Sequence, residues 1–177
     1  MSSPEEILRW AAGEFPDAVA FASSLGMEDQ VITEMIAADR LPIRIFTLET
    51  GRLHPETLDL RRRTEEQYAL RIEPVAPDPG DVSAMVAEHG ADLFYRAVDL
   101  RRLCCDVRKV RPLRRALAGA RAWVTGLRRG QSDARAAVRE VERDDAFGLV
   151  KVSPLAGWTA EEVREQLTRW KLPGSTG

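Results

Sequence analysis

An α/β domain with a mainly parallel sheet flanked by helices is the fold class that the sequence predicts. Short apolar segments of four to six residues alternate along the chain with longer segments of helical period, which is the pattern of βα units. The apolar segments are almost continuously hydrophobic, as strands buried on both faces are. Because the carboxyl ends of parallel strands share one edge of a sheet, the loops that follow them are the expected place for a ligand.

The first half of the chain contains alternating helices and strands. Ser3 and Glu6 flank Pro4 in the pattern of a capping box, which predicts a helix start. A second helix follows Gly26, and a third runs from His54 to about Leu70. The predicted strands of this half cover 18–23, 43–48 and 72–75.

The second half continues the alternation, with shorter elements. Helices are predicted over 81–89 and 98–119, the second interrupted near Pro112. Thr159 is the expected cap of a last helix, which has Glu161 and Glu162 in its first turn. The predicted strands are 121–126 and an outer pair, 138–141 and 149–152. We expect residues 1–173 to form a single domain and residues 174–177 to be a frayed tail or a cloning remnant.

Composition excludes several classes of protein. The 177 residues are 44% hydrophobic and 31% charged with a net charge of −2, so no global charge favours nucleic acid or a membrane surface. No segment approaches the roughly 18 consecutive apolar residues of a membrane span. Two cysteines and an acidic N-terminus without an apolar signal core indicate a reducing cytoplasm. The oligomeric state stays open, a homo-oligomer included.

Three loops at predicted strand ends could bind an anion or a flat ring. The first contains two hydroxyls and a glycine, the second a glycine and an arginine, and the third consecutive arginines. Such loops can present backbone N–H groups and guanidinium groups to an anionic ligand; the alternative is that they only turn the chain and cap helices. The candidate residues are Ser23, Ser24 and Gly26 in the first loop, Glu49, Thr50, Gly51 and Arg52 in the second, and Gly126, Arg128 and Arg129 in the third.

Cys104 and Cys105 lie inside the densest basic segment of the chain. From Arg96 to Arg115 there are eight basic residues against two acidic ones, a local charge of +6. Neighbouring Cα atoms are about 3.8 Å apart, whereas an unstrained disulfide needs roughly 4.4–6.8 Å, so the two cysteines are poor partners for each other. Local chemistry leaves three interpretations open: an inert buried pair, redox-active thiolates, or part of a metal site.

The chain resembles the assimilatory adenylyl-sulfate and phosphoadenylyl-sulfate reductases from about residue 17 to Pro173. The resemblance rests on five segments in the family's order: SSLGMEDQV, LETGRLHPET, CCDVRKVRPL, TGLRRGQS and SPLAGWTAEEV. It implies the adenine-nucleotide α-hydrolase-like (PP-loop) fold of the N-type ATP pyrophosphatases. In that wider group the first loop usually reads SGGxDS, and the different loop in this chain argues against ATP cleavage.

The resemblance also implies roles for the candidate residues. Family members with a double cysteine bind a 4Fe-4S cluster and generally prefer adenylyl sulfate, so Cys104 and Cys105 would be two cluster ligands. Lys109 would be the cation between cluster and sulfate. The first loop would hold the nucleotide, the second would flank adenine and ribose, and the third would close the site around adenylyl sulfate or AMP, with thioredoxin as the reductant.

The sequence departs from the family after the KLP segment. The family continues to a CxxC pair and to a C-terminal Glu-Cys-Gly whose cysteine attacks the sulfate sulfur, and this chain has neither. The resemblance therefore implies a nucleotide-binding part without the catalytic thiol, on which a cluster is expected to be absent or labile. The competing hypotheses are a non-catalytic adenine-nucleotide-binding module, a phosphoadenylyl-sulfate reductase and, less favoured because aromatic residues do not interleave the arginines, an RNA-binding protein.

Overall fold

A computed structural model of the chain describes residues 2–49, 55–90 and 98–170. The described strands are β1 (Val19–Ala22), β2 (Arg44–Leu48), β3 (Ile72–Val75), β4 (Ala122–Val124), β5 (Val141–Asp144) and β6 (Leu149–Val152). The described helices are α1 (Pro4–Glu14), α2 (Met27–Ala38), α3 (Pro55–Tyr68), α4 (Pro79–His89), α5 (Val98–Cys105), α6 (Arg111–Ala116) and α7 (Ala160–Trp170). In these three ranges, no helix has both the length and the apolarity needed to cross a membrane.

The described strands form one sheet in the order β3-β2-β1-β4-β6-β5. Neighbouring strands are parallel except for the hairpin of β5 and β6, so the predicted mainly parallel α/β architecture is confirmed. Phe21 of β1 lies opposite Ile45 on one side and Val124 on the other. Strand order reverses between β1 and β4, which is the point where open α/β sheets bind ligands.

Hydrophobic clusters cover both faces of this sheet. Along β1, Val19 and Phe21 join one cluster and Ala20 joins the other, as the period-2 alternation of a strand requires. The first cluster is completed by buried side chains of α1, α2 and α7, and the second by α6. Phe21 is fully buried, and burial of a phenyl side chain contributes about 1.5–3 kcal/mol. The strands are apolar in succession because both faces are covered.

The predicted helix caps are present. The Ser3 hydroxyl accepts a hydrogen bond from the Glu6 backbone N–H at 3.2 Å, and the Thr159 hydroxyl accepts one from the Glu162 N–H at 3.1 Å. The Glu162 carboxylate in turn accepts a hydrogen bond from the Thr159 N–H, which completes a capping box. These short-range motifs were sufficient to locate both helix starts.

Two predicted elements differ from the structure. The helix predicted over 98–119 ends at Ala116, and its predicted interruption near Pro112 is a π-helical stretch, Asp106–Val110, directly before α6. The outer strand predicted at 138–141 lies at Val141–Asp144, because its pairing with β6 places Asp144 opposite Leu149. The predicted helix start at His54 and the predicted tail at 174–177 lie outside the described residues.

Candidate functional site

A cavity of about 270 Å³ lies at the carboxyl ends of β1 and β4. It is therefore at the point where the strand order reverses. Its lining combines the first and third predicted loops, including Ser24, Asp29, Gly126 and Gln131. The structure thus brings together two segments that are about a hundred residues apart in sequence.

The first loop is held by its own side chains. The buried Ser23 hydroxyl accepts a hydrogen bond from the Leu25 N–H at 3.1 Å, and the exposed Ser24 hydroxyl accepts one from the Gly26 N–H at 3.2 Å. Gly26 caps α2 with a φ of −74°, whereas Leu25 has a φ of +64°. The residue in the left-handed region is therefore Leu25 and not the glycine, and Ser24 is the serine that lines the cavity.

Asp29 is a buried carboxylate in the first turn of α2. It accepts a hydrogen bond from the Ser24 backbone N–H at 2.6 Å. Burial raises the pKa of Asp29 from 3.8 to about 6, although the hydrogen bond from Ser24 opposes this change. A Cβ atom on Gly126 would overlap the same carboxylate, so glycine at position 126 is what lets the two loops approach each other.

Arg128 and Glu28 form a largely buried ion pair between the same two loops. The guanidinium Nε of Arg128 is 3.0 Å from the Glu28 carboxylate, with side-chain exposures of 8% and 17%. Arg128 also donates a hydrogen bond to the carbonyl oxygen of Trp158, and its backbone N–H donates to the Gln131 side chain. The charge of Arg128 is thus engaged by protein groups, and the pair fastens the third loop to α2.

The other predicted arginine of the third loop lies elsewhere. Arg129 is exposed and donates a hydrogen bond to the carbonyl oxygen of Val138 at 2.9 Å. Its guanidinium also lies against Gly157, where a Cβ atom would come within 2.8 Å of it. Arg129 therefore contacts the loop that follows β6.

Only the start of the second loop is described. Glu49 follows β2 and is half-buried, and its backbone N–H donates to the carbonyl oxygen of Val75 at 2.8 Å. The other predicted residues of this loop, Thr50, Gly51 and Arg52, lie outside the described residues. The proposed adenine and ribose contacts of this loop stay predictions.

The two cysteines end α5 and differ in exposure. Cys104 is buried against Met85 and Val107, whereas Cys105 is exposed. Among the described residues, no group of three or more His, Cys, Asp or Glu side chains could hold a metal. Lys109 is exposed and lies on the π-helical stretch directly after the cysteines.

Much of the basic segment near the cysteines stabilises the fold. Arg111 pairs with Asp106 at 2.7 Å and with Asp81 at 3.4 Å, and the hydrogen bond with Asp106 raises the pKa of Arg111 above its ordinary value. Arg114 and Arg115 donate hydrogen bonds to backbone carbonyl oxygens of other loops. These three arginines therefore hold α4, the π-helical stretch and α6 against their neighbours.

Sequence reasoning missed two groups of the cavity. An aspartate such as Asp29 is common in the first turn of a helix, and nothing in the local sequence indicates that its carboxylate accepts a hydrogen bond from the Ser24 N–H. Arg135 was not singled out, yet it lines the cavity from a short 3₁₀ turn, is exposed and donates a hydrogen bond to Gln131. An arginine shortly after a predicted anion loop was the available signal for Arg135.

Comparison with known proteins gives close relatives. The model of the phosphoadenosine phosphosulfate reductase domain matches residues 18–175. The adenosine 5'-phosphosulfate reductase of Allochromatium vinosum is 51% identical over 157 residues, which are 89% of this chain and 61% of that protein. The enzyme of the same name from Burkholderia cepacia is 49% identical over 161 residues, 91% of this chain and 64% of that protein. The chain spans about three fifths of the length of these curated relatives.

Solved structures share the fold. The phosphoadenylyl-sulfate reductase of Candida auris, solved as a phosphate complex, has a TM-score of 0.82 at 27% identity, covering 98% of this chain and 82% of that one. The NH3-dependent NAD synthetase of Campylobacter jejuni has a TM-score of 0.62 at 10% identity, covering 96% of this chain and 72% of that one. The predicted PP-loop fold is confirmed. With a family model that matches nearly all of its residues and relatives that are half identical to it, the chain belongs to the phosphoadenosine phosphosulfate reductase domain family.

Proposed function

We propose that this chain is the nucleotide-binding part of an adenylyl-sulfate reductase. The reaction would convert adenylyl sulfate into sulfite and AMP, while a dithiol such as that of thioredoxin is oxidised to a disulfide. The curated relatives support this proposal because those described above are named adenosine 5'-phosphosulfate reductases. Free thiols in the described chain fit a reducing cytoplasm as the compartment.

The cavity between the first and third loops is the observation that carries the proposal. It lies at the strand-order reversal and beside the N-terminus of α2, whose partial positive charge favours an anion. Arg135 can supply a charge-assisted hydrogen bond to a phosphate or sulfate oxygen, and Gly126 lets its loop approach the first loop beside the cavity. Ser24 and Gln131 add neutral hydrogen-bonding groups to the same cavity.

The chemical step needs a thiol that the described residues do not place at the cavity. The resemblance assigns the attack on sulfur to a cysteine beyond the KLP segment, and the sequence contains no cysteine after Cys105. Cys104 is buried in a separate cluster with Met85 and Val107, so we do not propose it as the nucleophile. The 177-residue chain is expected to bind the nucleotide without releasing sulfite.

The donor set of this chain does not complete a 4Fe-4S cluster. Such a cluster needs about four thiolates, and the chain has two cysteines, of which one is buried and one exposed. We therefore propose Cys104 and Cys105 as two of the four ligands only. Lys109 follows them on the exposed side of the π-helical stretch and is proposed as a cation that attracts the substrate's sulfate.

Two alternatives make different predictions. A non-catalytic nucleotide-binding module would bind AMP as well as adenylyl sulfate and would support no sulfite release. A phosphoadenylyl-sulfate reductase would favour the 3′-phosphorylated nucleotide, and a preference of about tenfold or more (about 1.4 kcal/mol) in competition binding would replace the adenylyl-sulfate assignment. RNA binding loses support because Arg111, Arg114 and Arg115 are engaged by protein groups.

A thermal-shift titration tests the binding site. AMP or adenylyl sulfate at about 100 times its dissociation constant should stabilise the fold by about 2.7 kcal/mol, which raises the melting midpoint by several degrees in a domain of this size. Arg135→Ala should reduce the shift, whereas Arg62→Ala, at an exposed position on α3, should leave it unchanged. No shift with either nucleotide would refute the site, and sulfite production with thioredoxin would refute the missing-thiol argument.

A further inference from the structure

A buried polar pair connects the first loop to α3. Gln30 is 1% exposed and Thr64 is fully buried. The Gln30 side-chain nitrogen donates to the Thr64 hydroxyl at 3.1 Å and to the backbone carbonyl oxygen of Leu25 at 3.4 Å. The Thr64 hydroxyl donates in turn to the carbonyl oxygen of Leu60 at 2.7 Å. Both N–H groups of the buried amide therefore have acceptors, as burial of an amide requires.

Leu25, whose carbonyl oxygen accepts the hydrogen bond from Gln30, has a strained backbone conformation. Leu25 has a φ of +64°, which is unfavourable for a residue with a branched side chain, and its side chain is 2% exposed in the main hydrophobic cluster. Such a conformation persists only where the surroundings determine it. The Ser23 hydroxyl holds the Leu25 N–H and the Gln30 amide holds its carbonyl oxygen, so the peptide groups on both sides of the residue are fixed.

We propose that Gln30 is a positioning residue for the nucleotide loop Ser23–Gly26, and that Thr64 orients the Gln30 amide for this task. The inference rests on the proposed function, in which this loop binds the nucleotide. Neither Gln30 nor Thr64 lines the cavity, and both are inaccessible to solvent. Any effect of these side chains on nucleotide affinity is therefore indirect, and the hydrogen bond to the Leu25 carbonyl oxygen is the contact that joins Gln30 to the loop.

The expected effect follows from the population of the binding conformation. Gln30→Met keeps a similar shape but removes both donors, so the Leu25 carbonyl loses its partner and the loop samples other conformations. If about a tenth of the molecules keep the competent loop, the apparent dissociation constant for AMP rises about tenfold. Thr64→Val should raise the apparent dissociation constant for AMP less, because the Gln30 amide can still donate to the Leu25 carbonyl oxygen. Thr64→Ser keeps the hydroxyl and should bind AMP as the wild-type chain does.

The test is AMP titration calorimetry on the full 177-residue chain, at a temperature well below every melting midpoint. The double variant Gln30→Met/Thr64→Val separates an effect on AMP affinity from an effect on the stability of the fold. Because apolar groups replace both partners of the Gln30–Thr64 hydrogen bond, the double variant should be more stable than the single variants. Its AMP dissociation constant should nevertheless stay about tenfold raised. Ile7→Val in α1, a mild core truncation that removes no hydrogen bond of the loop, should lower stability without changing the affinity. A wild-type dissociation constant in Gln30→Met, or in the double variant, would overturn the proposal.

Amide hydrogen exchange without nucleotide gives a readout that does not depend on the proposed function. The N–H groups of Leu25 and Gly26 donate within the loop, so they should exchange faster in Gln30→Met than in the wild-type chain, while Ile7→Val leaves them unchanged. If the wild-type chain fails to bind AMP, the proposed function fails and exchange alone decides on Gln30. Unchanged exchange of both amides would then overturn the positioning role.

Discussion

Replacement of the buried Asp29 by asparagine should stabilise the protein at neutral pH. The pKa of Asp29 is raised from 3.8 to about 6 by burial, so the fold must hold an unfavourable negative charge above pH 6. Each pKa unit corresponds to 1.36 kcal/mol, and a separation of about two units gives about 3 kcal/mol as the upper limit. The amide oxygen of asparagine can still accept the hydrogen bond from the Ser24 N–H that the carboxylate now accepts.

The sign of the pH dependence follows from proton uptake on folding. Because the folded-state pKa lies above the unfolded-state value, the favourable contribution of neutral Asp29 is complete below pH 3.8 and is lost as the pH rises through about 6. The stability difference between Asp29→Asn and the wild-type chain should therefore grow in favour of the variant between pH 4 and about pH 7. At pH 8 the melting midpoint of the variant should be higher, by up to roughly 6–12 °C.

Urea denaturation of both proteins across this pH range is the assay. Asp145→Asn is the matched control, because that side chain is 89% exposed and its neutralisation should leave the pH dependence unchanged. A difference between Asp29→Asn and wild type that does not vary with pH would refute the assigned pKa. A variant that is less stable than wild type at pH 8 would show that the Ser24 N–H stabilises the anion by more than burial disfavours it.

Three further substitutions or measurements test other parts of the site. Gly126→Ala should lower the free energy of unfolding by about 1–3 kcal/mol, because the new methyl group overlaps the Asp29 carboxylate, and it should also weaken AMP binding. The control is Gly13→Ala in α1, where the space around the Cβ position is open. In denaturation experiments the control should be as stable as the wild-type chain or more stable. Arg128→Met should lower stability by about 3 kcal/mol because Glu28 loses its partner, and Glu28→Gln/Arg128→Met should recover most of that loss; equal stability of single and double variants would contradict the ion-pair assignment. Anaerobically purified chain should be colourless by absorbance and iron analysis, and about four irons per chain would contradict the incomplete donor set.

The parts of the fold that could be predicted are those with local signals. Apolar segments located the strands, and the capping residues Ser3 and Thr159 located two helix starts. The loops at the carboxyl ends of the strands followed from the parallel architecture, because the strand order need not be known to place those ends on one edge. A π-helical stretch has no comparable signal, since its composition does not differ from that of an ordinary helix.

The contacts within the site could not be predicted because they join residues that are distant in sequence. The arginine pattern after β4 suggested an anion ligand for Arg128, but an identical pattern is produced when the partner is a protein carboxylate. Glu28, a hundred positions earlier, is that partner. Exposure is the physical quantity that separates the two cases, and it depends on how the loops pack. Arg135 is exposed at the cavity, whereas the charge of Arg128 is paired with Glu28.

Unfavourable local features concentrate at the same edge of the sheet. Leu25 adopts a left-handed conformation that costs about 1–2 kcal/mol. Asp29 is a buried acid, and Glu28 and Arg128 lose hydration when they form their largely buried ion pair. Each of these features carries a conformational or desolvation cost. Their common property is that they fix the shape and charge of the loops around one cavity, and folds tolerate such features where a site needs them. The balance implies that stabilising substitutions at these positions should weaken nucleotide binding, which Asp29→Asn and the AMP titration can examine in the same protein.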